Sequence, residues 1–66
     1  MKLQINGEAR DFAELKNLTD LVAALGLEPT MTLVEHNGIA PRRADWPKIS
    51  LAENDRIEIL QVAAGG

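Results

Sequence analysis

The sequence predicts an α+β domain in which one short helix packs on one face of a mixed β-sheet. Two Asn-Gly pairs, Asn6-Gly7 and Asn37-Gly38, each follow an alternating or β-branched apolar stretch, as in β-hairpins. A one-sided apolar pattern typical of a helix lies between them. Residues 56–62 are apolar and β-branched, as in a strand inside a sheet. A helix between two hairpin-like units indicates a single α+β domain.

The first hairpin is the clearest local signal. Met1, Leu3 and Ile5 alternate with polar residues, which is the pattern of a half-buried strand. Asn6-Gly7 follows at once and suits a type I′ turn, because Asn tolerates positive φ and Gly accepts it freely. We therefore expect an antiparallel return strand over residues 8–12, with Phe12 as a core anchor.

The helix is predicted from its caps and its apolar stripe. Asn17 or Thr19 can cap its start, and Gly26 can end it as the residue after the C-cap. Pro29 is expected to prevent the helix from restarting. The apolar positions recur at i, i+3, i+4 and i+7, and they are Leu18, Leu21, Val22 and Leu25.

The second half of the chain predicts three further strand segments. Residues 32–37 form the third strand candidate and turn at Asn37-Gly38, whereas the prolines of residues 41–47 break regularity. Ile49 and Leu51 are expected to form a short strand, and a polar turn leads from it into the last strand. Because the last strand is so apolar, we place it centrally, beside the first strand.

Composition excludes several classes of function. The chain has 66 residues, no Cys and a single His, so it offers no disulfide, cysteine-based zinc site, thiol nucleophile or two-His metal site. We expect no catalytic residue and no metal site. The formal net charge is −3 and no basic stripe occurs, which argues against nucleic acid or an anionic membrane as partner. Without a signal peptide or a membrane span, we expect the protein to be cytoplasmic.

The tail suggests where chemistry takes place. We divide the chain into a folded domain, residues 1–62, and a flexible tail, residues 63–66, which ends in Gly65-Gly66. A backbone without Cβ atoms can thread a narrow channel in another protein and bring the Gly66 carboxylate to a reaction site. A frayed end and a cloning remnant are the alternative interpretations.

Other polar and aromatic residues are interpreted as structural. His36 is expected to be an ordinary strand residue, and Asp55, with Glu53, part of a solvated turn. Trp46 is expected to be a packing anchor whose indole N–H is satisfied. Arg42, like its neighbour Arg43, either docks on an acidic surface or is simply solvated.

The last strand contains the candidate docking surface. Successive residues of a strand point to opposite faces of the sheet. One face is therefore expected to carry Ile57, Ile59 and Gln61, and the other Glu58, Leu60 and Val62. Both faces carry apolar residues, so the face turned away from the helix can expose a patch. The alternative is that sheet twist buries most of these side chains, Leu60 more so than Val62.

Six motifs along the chain together carry a resemblance to a known family. They are Ile5-Asn6-Gly7, Leu21 to Gly26, Val34 to Gly38, Pro41 to Trp46, Asn54 to Ile59 and Val62 to Gly66. In this order they resemble the ubiquitin-like β-grasp fold and, within it, the bacterial sulfur-carrier family of thiamin biosynthesis. That family commonly has Gly before Asp where this chain has Asn54, a small change because Asn tolerates the left-handed region. This chain also has one extra residue between Arg42 and Trp46.

The resemblance implies a mixed sheet of four to five strands and a carrier rather than an enzyme. In that family a partner uses ATP and Mg to adenylate the terminal carboxylate, here Gly66, so this chain binds no cofactor itself. A persulfide from a cysteine desulfurase then supplies sulfur, and the resulting thiocarboxylate serves thiazole synthase. The residues implied to thread the partner's active site are Ala63, Ala64 and Gly65. Those implied to dock are Val62, Leu60, Glu58 and Arg42.

Two other functions are compatible with the same pattern. One is the small sulfur-carrying subunit of molybdopterin synthase or a related β-grasp modifier, although those chains are usually longer. The other is a β-grasp interaction module without terminal chemistry, which would keep its function after deletion of Gly65-Gly66.

Overall fold

The computed structural model describes residues 1–62, which form a four-stranded mixed sheet covered on one face by a helix. The sheet order is β2-β1-β4-β3. β4 pairs in parallel with β1 and antiparallel with β3, so the predicted central position of the last strand is confirmed. The elements are β1 Lys2–Ile5, β2 Glu8–Asp11, α1 Leu18–Ala24, β3 Thr32–His36 and β4 Arg56–Gln61.

The two Asn-Gly turns form as predicted. Asn6 and Gly7 have φ of 51° and 81°, and Asn37 and Gly38 have φ of 50° and 89°. Positive φ at both central residues is the signature of a type I′ turn, whose twist matches that of the flanking strands. The first turn joins β1 to β2, whereas the second leads from β3 only into an isolated bridge between His36 and Ile39.

The helix caps were also predicted correctly, and Asn17 rather than Thr19 is the N-cap. The Asn17 side chain accepts a hydrogen bond from the Asp20 N–H at 2.9 Å, which satisfies one of the free amides of the first turn. Gly26, with φ of 70°, follows the C-cap residue Leu25 and ends the helix.

The core lies between α1 and one face of the sheet. Leu18, Leu21 and Val22 of the predicted helix stripe are buried, and Leu25 is half-buried against them. Phe12 packs at the border of this core rather than inside it. The sheet and the loops supply the remaining buried hydrophobic residues, which are Leu3, Ile5, Val34, Trp46, Leu51 and Ile57.

Two local predictions for the loops are wrong. Leu51 is buried as expected, but no fifth strand forms among residues 1–62, because Ser50 makes only an isolated bridge with Asn17. As predicted, α1 ends at Ala24 and no α-helix restarts after it among residues 1–62. Pro29 instead starts a single 3₁₀ turn, Pro29–Met31, where its missing N–H costs nothing. The predicted irregular loop contains a second 3₁₀ segment, Arg43–Lys48.

The turn before β4 docks on the start of β1. Asn54 has φ of 67°, the conformation that lets Asn stand where Gly is common. Its N–H donates to the Lys2 carbonyl at 2.7 Å, and the Lys2 N–H donates to Glu53 Oε1 at 3.1 Å. The loop thus positions β4 for its parallel pairing with β1.

The predicted boundary between domain and tail falls where the described residues end. Residues 63–66 lie outside them, so the prediction of a flexible tail stays a prediction. Within residues 1–62, no helix has the length and apolar content required to cross a bilayer.

Burial of Ile57 in the central strand should dominate stability. Ile57 is fully buried, whereas Ile39 is 71% exposed. We expect Ile57→Ala to lower the free energy of unfolding by about 2–5 kcal/mol, since it removes buried methyl groups and leaves a cavity. The matched Ile39→Ala change should cost less than about 0.5 kcal/mol. Urea unfolding measures both, and equal losses would contradict the assigned core.

Candidate functional site

The sheet face opposite α1 is open to solvent. In β3 the buried residues Thr32 and Val34 alternate with the exposed residues Leu33 and Glu35. Leu33 is 60% exposed. This face therefore presents apolar surface that the fold itself does not cover.

β4 continues the same surface. Ile57 is buried and Ile59 half-buried on the helix side, whereas Leu60 is 63% and Val62 49% exposed. The interpretation that twist buries Leu60 is therefore wrong, because its side chain points to the helix-free face. Glu58 is exposed on this face as well.

Four side chains form an apolar patch, defined here as Met31, Leu33, Leu60 and Val62. Leu33 lies directly opposite Leu60 in the antiparallel register. The Val62 N–H donates to the Met31 carbonyl at 2.7 Å, which extends the pairing by one step beyond β4. All four are large exposed hydrophobic residues. The patch lies where the chain leaves the sheet toward residue 63.

Next to the apolar patch lies an acidic pair, defined as Glu35 and Glu58. These residues are direct partners across β3 and β4, and both are exposed. Neither takes part in an ion pair with any residue of the described part of the chain. A depression of about 410 Å³ lies between the acidic pair, Leu33, Leu60 and Asn6. The two carboxylates thus border an apolar hollow.

Arg42 lies on the other side of Leu33. A second depression of about 330 Å³ is lined by Leu33, Arg42 and Trp46 among others. The Arg42 guanidinium is 3.6 Å from Asp45 and its side chain is 84% exposed, so this ion pair leaves it free to bind elsewhere. Of the predicted docking residues, Arg42 therefore lies near Leu33, Glu58 and Leu60 lie in β4, and Val62 follows directly after β4.

The turn around Asp55 is a hydrogen-bonded cluster and not a solvated turn. Asp55 Oδ2 lies 2.8 Å from His36 Nε2 and accepts from the Ala52 N–H at 2.9 Å. Asp55 Oδ1 accepts from Asn37 Nδ2 at 3.0 Å, and Asn37 Oδ1 accepts from the Arg56 N–H at 2.8 Å. The prediction for Asp55 is therefore wrong, since two of its partners, His36 and Asn37, are distant in sequence.

The same contacts set the charge of this cluster. Burial alone would raise the pKa of Asp55, but hydrogen bonds from Asn37, Ala52 and His36 stabilise the carboxylate and together hold the pKa below its ordinary value of 3.8. Asp55 is therefore a stable anion that fastens the β3 turn to the start of β4. His36 serves this cluster, in keeping with a structural role.

Trp46 is a packing anchor, as predicted, but its indole N–H is not satisfied. The residue is 3% exposed within the core, and Nε1 is buried without a hydrogen-bond partner among residues 1–62. The ring packs within the buried hydrophobic cluster, which accounts for its role as an anchor.

Comparison with known proteins identifies the family. The sequence model of the ThiS family matches residues 3–66. The chain belongs to the ThiS family. The fold agrees, since the crystal structure of the thiamine biosynthesis protein ThiS from Geobacter metallireducens superposes with a TM-score of 0.83 at 28% identity and full coverage of both chains. The resemblance to the β-grasp sulfur carriers of thiamin biosynthesis is thereby confirmed.

Relatives of this ThiS-family chain include longer proteins. An uncharacterised protein, ycf40, from Trieres chinensis is 31% identical over 94% of this chain and 85% of its own length. Proteins named thiazole synthase from Paramagnetospirillum magneticum and Magnetococcus marinus are 30% and 32% identical over this whole chain. The chain spans only 20% of the length of each of these two synthases.

Sequence reasoning missed three residues of this face, namely Met31, Leu33 and Glu35. Alternation within residues 32–36 places Leu33 and Glu35 on one face of the strand and Thr32 and Val34 on the other. The sequence therefore contained the information that Leu33 and Glu35 share a face. Pairing with β4 could not be derived, because it depends on the antiparallel register. Met31 joins the patch only through its backbone bond to Val62.

The Asp55 cluster should make stability depend on pH in acid. The pKa of the Asp55 carboxyl is lowered on folding. The stabilising effect of the carboxylate is therefore complete above the ordinary carboxyl pKa and is lost as the pH falls through the lowered value. We expect Asp55→Asn to reduce the unfolding free energy by about 1–3 kcal/mol at neutral pH, because it removes a hydrogen-bonded charge. This deficit should shrink as the pH falls below about 4.

Urea unfolding of wild type and variant across this pH range measures the deficit. Asp11→Asn is a suitable control, because it removes an exposed carboxylate with no hydrogen bond or ion pair to the described chain. If both variants show the same pH dependence, the acid-linked stability does not come from Asp55.

Proposed function

We propose that the chain is a sulfur carrier of thiamin biosynthesis whose Gly66 carboxylate is activated and converted to a thiocarboxylate. One observation carries the proposal. The central strand of a ThiS-family fold leads through an exposed apolar patch directly into the sequence Ala63-Ala64-Gly65-Gly66. A partner that binds the patch therefore holds the chain close to its reacting end.

The reach of the tail suits this role. Gly66 is the fourth residue after Val62, and an extended chain spans at most about 3.6 Å per residue, so Gly66 lies within roughly 14 Å of Val62. Ala has only a methyl side chain and Gly has none, so these four residues add little to the width of the backbone. A partner with a narrow active-site channel can thus dock the apolar patch and receive the carboxylate at the same time.

The chemistry requires activation. An α-carboxyl with a pKa of about 3.3–3.7 is ionised at neutral pH and is a poor electrophile. In the proposed first step a carboxylate oxygen of Gly66 attacks the α-phosphorus of ATP, and pyrophosphate leaves. The product is a mixed anhydride with AMP. ATP and Mg are bound by the activating partner, and this chain supplies the carboxylate.

Sulfur enters in the second step. The terminal sulfur of a persulfide supplied by a cysteine desulfurase attacks the carbonyl carbon of Gly66. The bond between that carbon and the phosphate oxygen breaks, and AMP leaves. A thiol then attacks the desulfurase-side sulfur of the acyl disulfide and forms a new disulfide with it, and the sulfur–sulfur bond that breaks leaves a thiocarboxylate on Gly66. Because the first step consumes ATP, we place the reaction in the cytoplasm.

The proposed acceptor is thiazole synthase. Support comes from the two relatives of that name, each of which contains a region that matches this entire chain. This observation favours thiazole formation over the molybdopterin synthase alternative. The proposed docking residues are Val62, Leu60, Glu58 and Arg42, and Ala63, Ala64 and Gly65 are proposed to thread the partner's channel.

Intact mass spectrometry tests the carrier function. The protein is incubated with ATP, an activating enzyme of a ThiS-family carrier and a persulfide source. We expect one terminal oxygen to be replaced by sulfur in the full chain and no change in a variant that lacks Gly66. An unchanged mass under conditions that modify an authentic carrier would exclude the proposal and favour an interaction module.

A further inference from the structure

We propose that Asn6 is a positioning residue for the reaction of the tail, because its side chain fixes the end of β4 and with it the direction in which the chain leaves the sheet. The inference rests on the proposed carrier function and concerns the step in which the Gly66 carboxylate meets ATP. Asn6 acts through the backbone of Ile59 and takes no part in making or breaking bonds.

The side chain of Asn6 replaces a strand residue that the turn removes. The Asn6 N–H donates to the Ile57 carbonyl at 2.8 Å, as in a parallel ladder. The next bond of such a ladder would join the Asn6 carbonyl to the Ile59 N–H, but the chain turns at Asn6 with φ of 51°. Instead Asn6 Oδ1 accepts from the Ile59 N–H at 2.7 Å, and Asn6 Nδ2 donates to the Ile59 carbonyl at 3.2 Å.

This contact lies where β4 changes from a central strand to one half of a ribbon. The backbone ladder between β1 and β4 ends at Ile57, whereas the pairing of β4 with β3 continues to Gln61. Two-stranded ribbons twist more than strands inside a wider sheet. By holding Ile59, Asn6 shortens the length over which β3 and β4 can twist away from β1 and α1.

The direction of β4 at Ile59 determines where the reacting end can be placed. Gly66 is the seventh residue after Ile59, so it lies at most about 25 Å away, and a small change in strand direction grows along that length. Adenylation requires a carboxylate oxygen in line with the α-phosphorus of ATP, and a misplacement of about 1 Å can slow such a step about a hundredfold. A fixed exit therefore raises the fraction of bound chains that react.

The turn itself does not need the Asn side chain, which makes a clean test possible. Gly adopts positive φ at no steric cost, so Asn6→Gly keeps the type I′ turn and removes both hydrogen bonds to Ile59. Asn37→Gly is the matched control. Asn37 opens the other Asn-Gly turn with φ of 50°, and its Oδ1 accepts from the Arg56 N–H at the opposite end of β4.

Pyrophosphate release by an activating enzyme of a ThiS-family carrier is measured at saturating ATP with the carrier concentration varied. We expect Asn6→Gly to lower kcat about fivefold and to change KM less than about twofold, since placement of the carboxylate is lost and docking is kept. Asn37→Gly should leave kcat and KM within about twofold of wild type. Hydrogen exchange of the Ile59 amide should become faster in Asn6→Gly and not in Asn37→Gly.

Thermal unfolding separates positioning from stability. Asn37→Gly removes hydrogen bonds to both Asp55 and Arg56, so it should lower Tm at least as much as Asn6→Gly does. If kcat instead falls with Tm in both variants, Asn6 is a structural residue only and the inference is wrong.

The other outcomes also decide between the proposals. Asn6 lines the hollow beside the acidic pair, so a raised KM with unchanged kcat in Asn6→Gly would show a lost contact with the partner and would overturn the positioning role. If wild type and Asn6→Gly are activated with the same kcat and KM, the inference is wrong and the carrier function stands. If wild type is not a substrate where an authentic carrier is, both are wrong.

Discussion

The parallel pairing of β1 with β4 is the contact on which the rest of the structure depends. It consists of a short ladder in which the Gln4 N–H donates to the Asp55 carbonyl and the Asn6 N–H donates to the Ile57 carbonyl. The Asn6 side chain lengthens this ladder, since it donates to the Ile59 carbonyl and accepts from the Ile59 N–H. A residue of the first turn thereby acts as an additional rung of the sheet.

This pairing also fixes which face each residue of β4 occupies. A shift of one residue would exchange the buried and exposed sets, placing Glu58 and Leu60 against the helix and Ile57 in water. Full burial of Ile57 opposes such a shift, and so do the side chains of Asn6 and Asn37, which bind the β4 backbone at Ile59 and Arg56. The composition of the helix-free face thus follows from the register of the central strand.

The parts of the fold that follow local rules were predictable from the sequence. The two Asn-Gly turns require positive φ, which Asn6 and Asn37 tolerate. Asn17 caps the helix, and the apolar strand β4 lies in the middle of the sheet. The errors concern contacts between distant segments. Asp55 was predicted to be solvated because its partner Asn37 is 18 positions away in the sequence. A short strand was predicted around Ser50, which forms only a single bridge.

The central position of β4 has a consequence for quality control. β1 and β3 are joined only through β4, which lies between them, and the pairing of β1 with β4 forms slowly because a long loop must close first. Leu33 meets Leu60 only after β3 and β4 have paired. A partner that bound both side chains would therefore distinguish chains in which β3 and β4 have paired from chains in which they have not.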